Sequence, residues 1–168
     1  MSGSPRVIVL MGVAGSGKST VGLALAEKLG ARFVDADDFH PPANVEKMSS
    51  GVPLDDADRR PWLDAMRREV IEAATEKTVL ACSVLKRSYR ERLGVDGPDV
   101  GLVYLAGSRD LLWERISGRT GHFMKREMLD SQLDTLEEPD ADEGTAVSID
   151  APVAEIVATI VNALEESG

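Results

Sequence analysis

The sequence predicts one α/β domain spanning residues 1–168, a five-stranded parallel sheet with helices on both faces and hence three layers. Three observations carry this. Short β-branched apolar runs alternate with stretches of helical periodicity along the whole chain. The first run, "RVIVLMG", is apolar on both faces, as a strand covered by helices on each side must be. The stretch "MGVAGSGKST", Met11 to Thr20, then joins that run to the first helical segment, with Gly12, Gly17, Lys18 and Ser19 at the spacing G-x-x-x-x-G-K-[ST].

The elements follow in order. After the glycine-rich loop, Leu23, Leu25, Ala26 and Leu29 give helical spacing, and Gly30 supplies the stop. "ARFVDAD" is a second strand ending in acids. "PPANVEKMSSG" reads as a short helix opened by prolines. In "DDADRRPWLDAMRREVIEAAT", Trp62, Met66, Val70 and Ala74 lie four apart, and Leu63 and Ile71 broaden the apolar face. "TVLACSVL" is the third strand and "KRSYRERLG" a short basic helix ending at Gly94. "VGLVYLAG" is the fourth strand, followed by a helix that Ser108 can cap. "TGHFMKREMLDSQLDTLEEPDADEG" turns, runs as a helix and ends in an acidic loop. "TAVSID" is the fifth strand. In the last helix Val153, Ile156, Val157, Ile160, Val161 and Leu164 mark one face. The helices between the second and third strands (about 38–77) are expected to form a substrate-binding insertion, and about 117–130 a lid.

The composition narrows the function. A net charge of −10 over 168 residues argues against nucleic acid or an anionic membrane as the main partner. One cysteine, Cys82, excludes an internal disulfide and a cysteine-based zinc site and fits a reducing compartment. No apolar run approaches the length of a membrane span or a signal segment, so the expected location is cytoplasmic.

The loop dictates the first half of the chemistry. Glycines let successive backbone N–H groups converge on one anion, and the helix that follows adds its own N-terminal N–H groups. Gly12, Val13, Ala14, Gly15, Ser16, Gly17, Lys18, Ser19 and Thr20 are therefore assigned to a nucleoside triphosphate, with Lys18 reaching the β- and γ-phosphates and Ser19 holding Mg²⁺. An Asn-Lys-x-Asp motif for reading guanine is absent, and the chain is short for a motor ATPase. A small-molecule kinase fits, since acids end the second strand and a basic segment can close over the site.

Asp35 and Asp37 lie two apart in "VDADDFHP"; on extended backbone both face one side, at the strand end where ligands bind in open α/β sheets. One can hold a metal-bound water and the other orient the acceptor hydroxyl and take its proton. His40 can donate to a substrate hydroxyl or carboxylate. Lys86 and Arg90, four apart on one helical face, with Arg59 opposite, form a candidate grip for an anionic group. Arg87 and Arg92 lean to solvent. "WERISGRTGHFMKR" gathers Arg115, Arg119, His122, Lys125 and Arg126 around two glycines, cations that can close over a triphosphate.

With these pieces together the chain resembles the gluconokinases, small P-loop kinases related to shikimate kinase. The resemblance rests on "LMGVAGSGKST", "DADDFHPPANVEKMSSGVPLDDADRRPWL", "CSVLKRSYRERL" and "GHFMKREMLDSQLDTLEEPDADE". It implies a nucleoside/shikimate-kinase-like fold and transfer of the ATP γ-phosphate to the 6-hydroxyl of D-gluconate with Mg²⁺, in a cytoplasmic, usually homodimeric enzyme of sugar-acid catabolism. By similarity to shikimate kinase, Asp37 matches the acid that meets the acceptor hydroxyl and Asp35 the one near the metal. Arg59 resembles a carboxylate-binding arginine, Arg115 the adenine-side arginine and Arg119 the lid arginine. The family pattern also includes His40, Lys86, Arg90, His122 and Gln132. "DADDF" departs from it, with Ala36 and Asp38 where many members have glycine and an apolar residue. Two other readings stay open at this point: a shikimate- or nucleoside-type kinase, and a non-catalytic nucleotide-binding regulator.

Overall fold

The computed structural model describes residues 5–13, 15–52, 54–117 and 126–167. Five strands, β1 (Val7–Met11), β2 (Arg32–Asp35), β3 (Thr78–Ala81), β4 (Val100–Ala106) and β5 (Thr145–Ser148), form one sheet in the order β2-β3-β1-β4-β5. Every pairing is parallel, with Val9 beside Leu80 on one flank and Leu102 on the other. The short β2 and β5 are the two open edges.

Both faces of β1 are buried, as its unbroken apolar run requires. Ile8, Leu10, Val79, Val103 and Val147 point into one core with α1 (Lys18–Leu29), α5 (Arg109–Ser117) and α7 (Val153–Ser167). Val7, Val9, Met11, Leu80 and Tyr104 point into the other, with α3 (Asp56–Met66) and α4 (Arg87–Leu93). This is the three-layer arrangement. Truncating a fully buried residue such as Leu25, 0% exposed, is expected to cost about 2–5 kcal/mol.

Two apolar positions counted toward helix faces lie outside. Leu23 of α1 is exposed, because Val21, Leu25 and Ala26 already fill the stripe toward the sheet. Val153 sits in the first turn of α7, before the helix reaches the sheet. Trp62, Leu63, Met66 and Val70 are buried as their spacing requires, although the backbone shifts to a π-turn over Arg67–Ile71. Ser108 caps α5, its Oγ accepting from Leu111 N at 3.2 Å.

The insertion consists of a 3₁₀ turn (Ala36–Phe39), α2 (Pro42–Ser49) and α3. α3 starts with a reciprocal cap. Asp58 N donates to Asp55 Oδ1 at 2.8 Å, and Asp55 N donates to Asp58 Oδ2 at 3.0 Å. Lys47 of α2 also donates to Asp58, at 2.6 Å, which ties the two helices together where the site is built. Among the described residues no helix is long and apolar enough to cross a membrane.

Candidate active site

The donor half of the site is local in sequence. Gly15 (φ 83°) and Gly17 (φ 87°) take left-handed backbone conformations that turn the loop between β1 and α1. A side chain on Gly15 would also collide with Leu112 O and Ile116 Cγ1, each 2.8 Å from the added carbon. On Gly12 it would meet Ser16 Oγ at 2.5 Å. Lys18 Nζ donates to the carbonyls of Gly12 (2.9 Å) and Val13 (3.2 Å), so its charge is held over the loop. The buried Ser16 hydroxyl has no partner among the described residues. A glycine cradle, a lysine arched over it and an unpaired buried hydroxyl fit a polyphosphate. Ser19 and Thr20 are exposed in the first turn of α1. Ala14 lies outside the described residues.

β2 delivers the acids to the same end of the sheet. The extended backbone stops at Asp35, so the alternation expected to align Asp35 with Asp37 does not apply. They meet another way: Asp35 Oδ1 accepts from Asp37 N at 3.0 Å and caps the 3₁₀ turn. That leaves the Asp37 side chain 85% exposed. Its carboxyl titrates above the ordinary carboxylate value because the crevice strips part of its hydration and Asp35 adds like charge; His40 and Lys18 pull the other way.

His40 is held rather than free. Its side chain is 5% exposed and stacks on Trp62 with ring centroids 4.4 Å apart. Asn44 Nδ2 lies 3.2 Å from His40 Nδ1, and Nε2 is 3.9 Å from Asp37 Oδ1. Burial pushes the imidazole below its ordinary value, against the pull of the Asp37 carboxylate, and Arg59 lowers it further. The neutral ring presents Nε2 toward Asp37. Trp62 Nε1 donates to Ala36 O at 2.7 Å, so the indole that backs His40 also ties α3 to the turn carrying Asp37.

A cleft opens where α3, α4 and α6 (Arg126–Thr135) meet. It has a volume of about 480 Å³ and is lined by Asp56 and Arg59 of α3, Lys86 and Tyr89 at α4, and Thr135 of α6, among others. The two expected cations do converge here. The Arg59 guanidinium carbon lies 5.2 Å and Lys86 Nζ 5.4 Å from the centre of the Tyr89 ring. Gln132 lies one turn before Thr135 on α6 and is half-buried.

Arg90 does not join them, contrary to the expectation that it shares a ligand-facing side with Lys86. It is 1% exposed, so no ligand can reach it. Nε donates to Glu143 at 2.8 Å, Nη1 to Val84 O and Leu85 O, and Nη2 to Glu137 O. The four-residue spacing is helical, but Lys86 is the residue before α4, on extended backbone, and its side chain leaves in another direction. Arg90 instead clasps the acidic segment after α6, helped by Arg87 N donating to Glu137 Oε1 at 2.9 Å. Arg87 and Arg92 are surface-lying, paired with Glu91 and Asp64 respectively.

Arg115 of α5 donates through Nη2 to Ile149 O, which joins α5 to the loop after β5. Arg119 and His122, and most of the expected lid, lie outside the described residues. Cys82, the residue after β3, is buried, and burial pushes its thiol up to about 12, which makes it inert.

Sequence reasoning missed Tyr89 and Asp56. For Asp56 the signal was present, since it stands three before Arg59, one helical turn away on α3; Tyr89 has no such spacing to Lys86, which precedes α4 on extended backbone. It also missed Glu143, whose partner is 53 residues away and leaves no local trace.

Comparison with known proteins finds relatives along nearly the whole chain. A family model described as shikimate kinase matches residues 14–165. A thermoresistant gluconokinase of Escherichia coli is 42% identical over 165 residues, covering 96% of this chain and 94% of that protein. A gluconokinase of Gluconobacter oxydans is 51% identical over 143 residues, covering 83% and 79%. The crystal structure of a gluconokinase from Sinorhizobium meliloti superposes with a TM-score of 0.89 at 47% identity, over 97% of this chain and 93% of the other. The fold, the phosphate loop and the cationic cleft thus come with sequence likeness along nearly the whole length, and the chain belongs to the gluconokinases, within the shikimate kinase family of P-loop kinases.

Proposed function

We propose that the protein transfers the γ-phosphate of ATP to the 6-hydroxyl of D-gluconate, giving 6-phospho-D-gluconate and ADP in sugar-acid catabolism. The observation that carries this reading is the convergence of Arg59 and Lys86 on one cleft, in a chain that also holds a phosphate loop and resembles gluconokinases over 96% of its length. A carboxylate bound at Arg59 would leave the far end of a six-carbon acid free for the acceptor role assigned to Asp37.

The residues divide the work. The backbone of Gly12 to Thr20 holds the triphosphate, and Lys18 neutralises charge on the transferring group. Asp37 accepts the proton of the acceptor hydroxyl, or orients it, while His40 steadies that carboxylate. Arg115 lies on the adenine side; Arg119 and His122 close over the reaction and Gln132 contacts the acid. Phosphoryl transfer asks little covalent chemistry of the protein, so positioning and charge stabilisation supply most of the rate. The exposed Ser19 hydroxyl and the Asp35 carboxylate are hard oxygen donors of the kind Mg²⁺ takes alongside phosphate oxygens. When bound there, Mg²⁺ would neutralise phosphate charge. The resemblance also supports a cytoplasmic homodimer.

ADP release coupled to a reporter, measured over D-gluconate, other sugar acids, shikimate and nucleosides, tests the reading. Turnover with D-gluconate well above the rest is expected. No gluconate-dependent ADP would overturn it.

A further inference from the structure

Arg59 and Asp56 sit one turn apart at the start of α3, and neither is placed by α3 alone. The Tyr89 hydroxyl lies between them. It accepts from Arg59 Nη1 at 2.9 Å and donates to Asp56 Oδ1 at 2.5 Å. Lys86 Nζ reaches the same Oδ1 at 3.3 Å. Tyr89 itself is 6% exposed and held within the core beneath α3 and α4. Two mobile charged side chains are therefore fixed by one immobile hydroxyl.

What this leaves over is a recognition surface. Among the described residues Tyr89 is the one hydrogen-bond partner of the Arg59 guanidinium, so most of its five donors remain for a ligand. The Tyr89 and Lys86 bonds both fall on Oδ1 of Asp56, whose side chain is 57% exposed, leaving Oδ2 to accept another. The cleft thus offers a cationic fork and an anionic acceptor at a fixed separation. A bare carboxylate satisfies the fork and is repelled by Asp56. A neutral sugar satisfies Asp56 and leaves the fork unpaired.

We propose that Tyr89 is a positioning residue that locks Arg59 and Asp56 into one donor–acceptor pair, and that this pair selects acids carrying a hydroxyl beside the carboxylate. The carboxylate lies on Arg59, and the neighbouring hydroxyl donates to Asp56. The proposal rests on the reading of this cleft as the acid-binding half of the site.

The test uses Tyr89→Phe, which keeps the ring beneath both cations and removes only the hydroxyl. The KM for D-gluconate is expected to rise about tenfold, the loss of a hydrogen bond to a charged group. The kcat and the KM for ATP should stay within about twofold, which also reports an intact fold. In an Arg59→Ala/Asp56→Ala background the same change should alter the KM for D-gluconate less than about twofold, because Tyr89 acts through those two residues. Independent, multiplying effects would show a merely structural tyrosine and overturn the proposal, as would an unchanged KM in Tyr89→Phe alone. The specificity half is read with 2-deoxy-D-gluconate, which retains the acceptor hydroxyl. The wild type should favour D-gluconate over it by about tenfold in kcat/KM, and Asp56→Ala should remove most of that preference. Equal use of both acids by the wild type, or a preference that survives Asp56→Ala, would overturn it. A wild type with no gluconate-dependent turnover defeats the underlying reading and this proposal together; an active wild type with an unaffected Tyr89→Phe defeats the proposal alone.

Discussion

Arg90 and Glu143, 53 residues apart in the chain, meet as a buried ion pair with Nε 2.8 Å from Oε2, the arginine 1% and the glutamate 14% exposed. The pair fastens α4, which carries Tyr89, to the segment that leads from α6 into β5. Removing one partner of such a pair strands a charge, at a cost of about 3–5 kcal/mol. Arg90→Met should therefore lower unfolding free energy by that order in denaturant titration. The double variant Arg90→Met/Glu143→Met should recover only part of the loss, because the carbonyls of Val84, Leu85 and Glu137 also lose their donor.

Asp37 gives a prediction with two readouts. Asp37→Asn should lower kcat on the order of 10²-fold or more while ATP still binds. Its carboxyl titrates above the ordinary carboxylate value, so the folded state holds the proton more tightly than the unfolded chain does. The stability it contributes is thus full at low pH and lost as pH rises through the raised value. Asp37→Asn should accordingly melt slightly higher than the wild type at pH 7, a small effect because solvent screens a side chain that is 85% exposed, with the difference vanishing in strong acid. The acid limb of kcat/KM should lie above the ordinary carboxylate range.

His40 has the opposite sign. Burial lowers its titration, so the folded state resists protonation that the unfolded chain accepts near the ordinary histidine value. Stability is present above that value and falls as pH drops through the lowered one. Thermal melts from pH 7.5 to pH 5 should show a larger decline for the wild type than for His40→Phe, which keeps a ring against Trp62 but cannot ionise.

The phosphate loop should tolerate no side chain at Gly15, where φ is 83° and Leu112 O and Ile116 leave no room. Gly15→Ala is expected to weaken ATP binding at least tenfold by calorimetry, while gluconate binding in the absence of nucleotide changes little.

Much of this was legible because it is local. The loop, the caps at Gly30 and Ser108, and the alternation of strand and helix are written in neighbouring residues. Arg59 and Lys86 were legible as cations at the right end of the sheet. Arg90 was not, because helical spacing places residues on a face without saying whether that face looks in or out, and its partner Glu143 belongs to another element. Asp35 and Asp37 are neighbours through a turn and not through parity: the parity rule assumes an extended chain, and here Asp35 accepts from the Asp37 N–H. Tyr89 was hidden by its own chemistry, since an aromatic on an amphipathic helix reads as core, and its ring is core; only the hydroxyl belongs to the site.

The open flanks of the sheet have a further consequence. β2 and β5 offer four residues each, and β2 opens at the exposed Arg32 and ends at Asp35. A foreign strand adding to either flank finds a short template, and at β2 a charged one, which disfavours ribbon-like aggregation. Two copies that associate therefore have little reason to do so by extending the sheet. Their contact would be sought on the helical layers, where assembly leaves the strand order, and the catalytic loops hung from it, as they are in one copy.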